Sequence, residues 1–120
     1  MHNFRDLKVW QKARILVKNV YILTKKFPKE ELFCITSQSR RAVISIPSNI
    51  AEGCGRGTDK QLIHFLDIAQ GSSCELETQI LLSYDLEYID KAELDLTLSN
   101  LNEIQKMIYA FKDKLSKGLN

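Results

Sequence analysis

Two sets of residues could carry chemistry in this 120-residue chain: a line of polar side chains at helical spacing and a lopsided set of cations. Gln38, Arg41, Ser45, Asn49 and Glu52 recur at steps of three and four, which places them along one side of a helix. Glu75 and Gln79 repeat the spacing further on. If the two segments reverse about the glycines at 55–57, positions mirror across the turn. Gln38 then falls opposite Cys74 and Glu75, and Arg41 lies within about one helical turn of Glu75, roughly 5 Å along the axis. An Arg41–Glu75 ion pair, buttressed by Gln38 or Asn49, is in reach. Such a pair can fix helix register as a partly buried charge pair, or sit at a subunit boundary, or work as an acid–base couple. The last use needs a nucleophile or a metal beside it.

The cations are concentrated in the first half. Residues 1–60 hold 12 Lys/Arg against 5 Asp/Glu, and residues 61–120 hold 5 against 10, within a net charge of +2. Arg5, Lys8 and Lys12 share one face of the first helical segment, and Arg14, Lys18 and Lys25 share another. Lys25, Lys26 and Lys29 cluster at its end, while Arg56 and Lys60 flank the glycine loop. Clustered cations neutralise phosphates and release counterions, which gives salt-dependent nucleic-acid affinity. Dispersed lysines can equally be solvated surface, and oppositely charged halves can neutralise each other inside one fold or between copies. Neither a zinc-finger spacing nor an RRM aromatic pattern accompanies them.

Metal and nucleophile chemistry find little footing. A di-iron bundle uses Glu-x-x-His pairs, but Gln61 stands three residues before His64, and His2 is the other histidine. Cys34, Cys54 and Cys74 are odd in number and far apart, with no CxxC, as befits small side chains of a reducing compartment. Gly53, Gly55 and Gly57 superficially suggest a phosphate loop, but no strand precedes them. They read as a breaker that permits left-handed backbone and a tight reversal. No catalytic residue, cofactor site, metal site or small-molecule site is expected.

The elements that must position these residues are helices. Two prolines and five glycines in the whole chain favour long regular segments. Leu7, Trp10, Ala13, Val17, Val20 and Thr24 make one stripe of a helix over about 5–26, with Val9, Leu16 and Leu23, flanked by Ile15 and Ile22, making a second. A helix apolar on two sides needs two partners, which predicts self-association. Phe27-Pro28 ends it. A second helix over about 35–52 buries Ile35, Ser39, Ala42, Val43, Ile46 and Ile50 and contains Pro47, which bends it. A third, over about 59–86 and capped by Thr58 or Asp59, with Leu62, Phe65, Leu66, Ala69, Ser72, Ser73, Leu76, Ile80 and Ser83 as its stripe, and a fourth, over about 91–116 with Leu94, Leu98, Leu101, Ile104, Ile108, Phe111 and Leu115 inward, complete the set. Short connections give an antiparallel up-down-up-down four-helix bundle, a single all-α domain over 1–120. No apolar run reaches the roughly 18 residues that span a bilayer, and the N-terminal residues do not look like a signal peptide. The expectation is a cytoplasmic protein.

Four segments together resemble the four-helix-bundle family of bacterial 23S rRNA intervening-sequence proteins. They are FRDLKVWQKA at 4–13, TSQSRRAVISIPSNIAEG at 36–53, GRG at 55–57 and ELETQILL at 75–82. The SIPSNIAEG string with its interior proline is the most specific of them. The resemblance spans residues 4 to about 89, and the fourth helix matches in character only. Members are short bacterial proteins, often encoded inside insertions in the large-subunit rRNA gene. They are similar to the accessory protein of diversity-generating retroelements, a pentameric barrel that binds nucleic acid together with a reverse transcriptase. The resemblance thus implies a ring-shaped homo-oligomer, a pentamer, associated with RNA or DNA, without enzymatic activity. Positions matching the family's motifs are Gln38, Arg40, Arg41, Pro47, Asn49, Glu52, Arg56, Glu75 and Glu77, most of them structural in character. The candidate nucleic-acid contacts are Lys8, Lys12, Arg14, Lys18, Lys25, Lys26, Arg40, Arg56 and Lys60. Gln38, Arg41, Asn49, Glu52 and Glu75 form the candidate polar network. The competing function is a scaffolding oligomer whose charged halves match between copies.

Overall fold

The first long helix starts later than its periodicity predicts. In the computed structural model, which describes residues 2–119, the Asn3 carboxamide accepts the Arg5 N–H at 3.2 Å and opens a single tight turn, Phe4–Asp6. Leu7 is extended (φ −75°, ψ 124°), so α1 runs Lys8–Thr24. Phe27-Pro28 ends this segment as expected, with Phe27 folded into the core. A tight turn at Lys29–Glu31 and a wide one at Leu32–Thr36 follow, and Cys34 leaves the helical region there (φ −122°, ψ −111°).

Helix α2 spans Ser37–Cys54, about one half-turn beyond its expected end, and carries Pro47 inside it. Gly53 explains the extension. A Cβ there would stand 2.8 Å from Leu62 Cδ1 and 2.9 Å from Phe65 Cβ, so only glycine lets α2 continue along the start of α3. The glycines do not serve as left-handed hinges: no described glycine has positive φ, and Gly55 sits at φ −81°, ψ −9°. What the reversal needs from Gly53 is a missing side chain, not an unusual dihedral.

Helix α3 spans Asp59–Asp85, with Thr58 Oγ1 accepting the Gln61 N–H at 3.2 Å. Its far end closes in a Schellman motif. Tyr88 N–H donates to the Ser83 carbonyl and Glu87 N–H to the Tyr84 carbonyl, both at 2.9 Å. Glu87 takes the left-handed position (φ 65°) that glycine usually holds, at a cost of about 1 kcal/mol. Helix α4, Lys91–Gly118, opens on a reciprocal capping box between Asp90 and Glu93.

All four helices contribute to one core, and the described residues contain no strand. The expected α2 stripe is buried in full: Ile35, Ser39, Ala42, Val43, Ile46 and Ile50. Packing is most extensive between α2 and α3, then α3 and α4, then α1 and α2, and least between α1 and α4. The molecule measures 48 × 23 × 20 Å, a length set by α3 and α4 at about 1.5 Å per residue. Four enclosed side-chain oxygens, Thr36 Oγ1, Ser39 Oγ, Gln70 Oε1 and Gln79 Oε1, have no protein hydrogen-bond partner among the described residues.

The close approach at Gly53 makes a direct prediction. Gly53→Ala overpacks the α2–α3 contact and destabilises the fold by about 1–3 kcal/mol. Gly55→Ala meets nothing closer than the Glu52 carbonyl at 3.5 Å and is neutral or slightly stabilising, since it only restricts the unfolded chain. Thermal melts followed by circular dichroism should show the first falling by several degrees and the second holding.

Candidate nucleic-acid interface

The polar line on α2 divides into three parts. At its centre the Ser45 and Ser72 hydroxyls lie 2.7 Å apart across the α2–α3 seam, and Asn49 Nδ2 donates to Ser45 Oγ at 2.9 Å and to its carbonyl at 2.8 Å. At one end Glu52 pairs along its own chain with Arg56 at 3.5 Å. On α3, Glu75 accepts from Gln79 Nε2 at 3.2 Å. Gln38, Arg41, Glu52 and Glu75 are exposed.

Among the described residues no ion pair joins Arg41 to Glu75. Counting outward from Ser45–Ser72 sets Gln38 level with Gln79 and Arg41 level with Leu76, one helical turn from the register that a reversal about 55–57 predicts. The shift follows from α2 continuing through Cys54. The seam is held by hydroxyls and an amide, with Arg41 and Glu75 left to solvent, where a pair would contribute little.

The candidate cations also separate into groups. Lys12 reaches Glu103 on α4 at 2.9 Å, and Lys26 pairs with Glu93 on the same helix. Lys91, Lys112 and Lys117, from the acidic half, pair within it, with Asp95, Asp67 and Asp113. Helix α1 contains four cations, Lys8, Lys12, Arg14 and Lys18, and no carboxylate. Lys8, Arg14, Lys18, Lys25, Arg40 and Lys60 have no acidic partner within 4.0 Å among the described residues. Mutual neutralisation of the halves therefore operates only along the α1–α4 seam.

Three cations lie on aromatic rings, a feature that cation counting missed. Arg14 Cζ is 5.6 Å from the Trp10 ring centre, Arg40 Cζ 4.7 Å from Tyr21, and Arg56 Cζ 4.9 Å from Phe65. Arg40 is further fixed by its Nε, which donates to Thr24 Oγ1 at 2.9 Å; that buried hydroxyl donates in turn to the Val20 carbonyl at 2.8 Å. The Trp10–Arg14 spacing of four was a readable signal. The Tyr21–Arg40 pair joins two helices and was not.

On the α4 side of α1 a groove runs between the two cross-helix ion pairs, lined by Leu16, Asn19, Ile22, Leu96 and Asn100. Ile15, Ile22 and Leu96 are 60%, 56% and 65% exposed there, whereas Val9 and Leu16 are buried and Leu23 packs against the core, so of the second apolar stripe of α1 only the flanking Ile15 and Ile22 stay open among the described residues. No helix of the described residues is long and apolar enough to cross a membrane. Nor do any three of their His, Cys, Asp or Glu side chains gather where an ion could be held.

Residues 5–110 match the family described as 23S rRNA-intervening sequence protein. The chain belongs to this family. The match takes in α1, α2, α3 and most of α4, the exposed cations and the Ser45–Ser72 seam alike. A solved structure of an S23 ribosomal protein family member of unknown function, from Bacteroides thetaiotaomicron, is similar in fold: TM-score 0.81 at 24% identity, covering 87% of this chain and 97% of that one. No curated protein matches.

The three cysteines differ in environment. Cys54 is buried at the end of α2, and burial pushes its thiol up, while Cys34 and Cys74 are exposed. A thiol held protonated and enclosed is a poor nucleophile. Native protein treated with a thiol reagent at neutral pH should take up two labels quickly and the third only on unfolding. Rapid uptake of three would place Cys54 at an accessible surface.

Proposed function

We propose that this chain is a non-enzymatic, nucleic-acid-associated protein, RNA-directed by family, that works in the cytoplasm as a homo-oligomer. The observation that carries the nucleic-acid reading is a helix, α1, with four cations and no carboxylate, whose α2-facing side stays basic after every ion pair is counted. Cations so placed gain from phosphate by releasing its counterions.

The oligomer reading rests on the α1–α4 groove. The residue pairs Lys12–Glu103 and Lys26–Glu93 run in opposite senses along their helices, as do Asp67–Lys112 and Glu77–Gln105. This supports an up-down-up-down bundle in which α1 and α4, the least tightly packed neighbours, leave their shared groove open to a second copy. By its family resemblance the assembly would be a pentameric ring. A scaffolding oligomer without nucleic acid is the second reading, and the same exposed Ile15, Ile22 and Leu96 favour it.

Two measurements test these readings. In a gel shift with RNA, affinity should be lost by orders of magnitude between about 50 and 200 mM salt; no shift even at low salt would leave the scaffold. In sedimentation, the chain should run as an oligomer, and Ile22→Glu, which puts a charge into the groove, should release monomers with the fold intact. A monomer at micromolar concentration removes the ring.

A further inference from the structure

The α2-facing side of α1 carries Trp10, Arg14, Lys18 and Tyr21 at steps of three and four, continued by Lys25, and α2 adds Arg40 beside Tyr21. Trp10 and Tyr21 are half-buried; Arg14, Lys18 and Lys25 are exposed. A shallow hollow lined by Phe4, Arg5, Gln11 and Arg14 opens beside the indole. No carboxylate of α1 intrudes, and the one carboxylate of α2, Glu52, is engaged by Arg56.

We infer that this strip binds single-stranded nucleic acid, with Trp10–Arg14 and Tyr21–Arg40 as two base-stacking platforms and Lys18 and Lys25 on the phosphates. The inference rests on the nucleic-acid reading above and adds strandedness and residues to it. Cations alone would serve a duplex equally well, since they read only phosphates. An aromatic face paired with a guanidinium adds energy only for a base that is out of its stack, so the combination selects single strands. The platforms are eleven residues apart on one helix, which is about 16 Å and matches about five nucleotides at the stacked spacing of about 3.4 Å.

The two platforms act differently. Arg14 is exposed and held by the weak kind of cation–π contact, so a base takes its place on the indole while the guanidinium turns to a flanking phosphate. Arg40 is fixed by its hydrogen bond to Thr24, so its plane stays on Tyr21 and offers its outer face to the next base.

Trp10 is the only tryptophan, so its emission reports on the first platform directly. The test titrates the full chain with a labelled oligouridine of about ten nucleotides at low salt, reading the strand's polarisation and Trp10 emission together. The expected result is a polarisation rise with quenching in step, and a duplex of equal length bound about tenfold more weakly. Tyr21→Leu should weaken the strand about tenfold, Tyr21→Phe should bind like the parent, and Arg40→Lys, which keeps charge and loses the plane, should weaken it several-fold. Melting curves of each variant separate binding from folding. A polarisation rise without quenching, or duplex bound as tightly as single strand, overturns this site and leaves the nucleic-acid reading standing. Polyglutamate displacing the strand at equal charge also overturns it, in favour of an acidic protein partner. No polarisation change with any nucleic acid overturns both.

Discussion

The missing side chain at Gly53 sets the geometry of the whole bundle. Because Leu62 and Phe65 occupy the space a Cβ would need, α2 runs through Cys54 and lies tightly along α3 before the chain reverses. That contact fixes the α2–α3 register, brings Ser45 to Ser72 and turns Gln38, Arg41 and Glu52 out to solvent. With two helices locked, the positions of the others follow. Helix α1 packs beside α2, with Ala13, Val20, Val43 and Ile46 all buried in the shared core, and Arg40 reaches over to Thr24 and Tyr21. A core is close-packed, so an error of one residue at this contact would propagate to all of these pairs.

Tight packing on the α2–α3 side leaves α1–α4 as the loose seam. It is joined at its ends by Lys12–Glu103 and Lys26–Glu93, exposed pairs of the kind that contribute at most about 1 kcal/mol each. Between them Ile15, Ile22 and Leu96 remain open, so α1 has two unlike sides. One is apolar and flanked by neutralised charge, facing α4; the other is basic and aromatic, facing α2. The division follows from where the pairing acids sit: both carboxylates that pair with Lys12 and Lys26, Glu103 and Glu93, are on α4.

Much of this was legible in one dimension. The α2 stripe is buried in full and most of the other stripes follow from spacing too, since burial and helical period are the same regularity, although Trp10, Val17, Phe65, Leu98 and Phe111 are only half-buried; the Thr58 cap and the Phe27-Pro28 stop are local signals. Misses came where geometry, not pattern, decides. Leu7 has helical company but an extended backbone, so α1 starts late. Glu87 fills a left-handed cap that a search for glycine passes over. The Arg41–Glu75 pair fails on facing rather than on level: the seam sets Arg41 level with Leu76, next to Glu75, yet both side chains point to solvent, and spacing along one helix does not fix how its neighbour is turned. The Tyr21–Arg40 platform joins residues nineteen apart on different helices, and no periodicity reports such a pair.

A net charge of +2 can be raised as an objection to the proposed binding of polyanions. That objection treats the charge as spread evenly, and the bundle does not spread it so. The acids concentrate on α3 and α4, and three of the lysines there are already paired with them. At physiological ionic strength, charges are screened over about 8 Å, whereas the bundle is 20–23 Å across. A phosphate arriving at the α1–α2 seam therefore feels Arg14, Lys18, Lys25 and Arg40 at close range and the acidic face hardly at all. It is the local field over one helix pair, free of carboxylates on α1, that sets affinity there. The acidic side keeps the whole molecule near neutrality and leaves one face as the place where the proposed anion binding can occur.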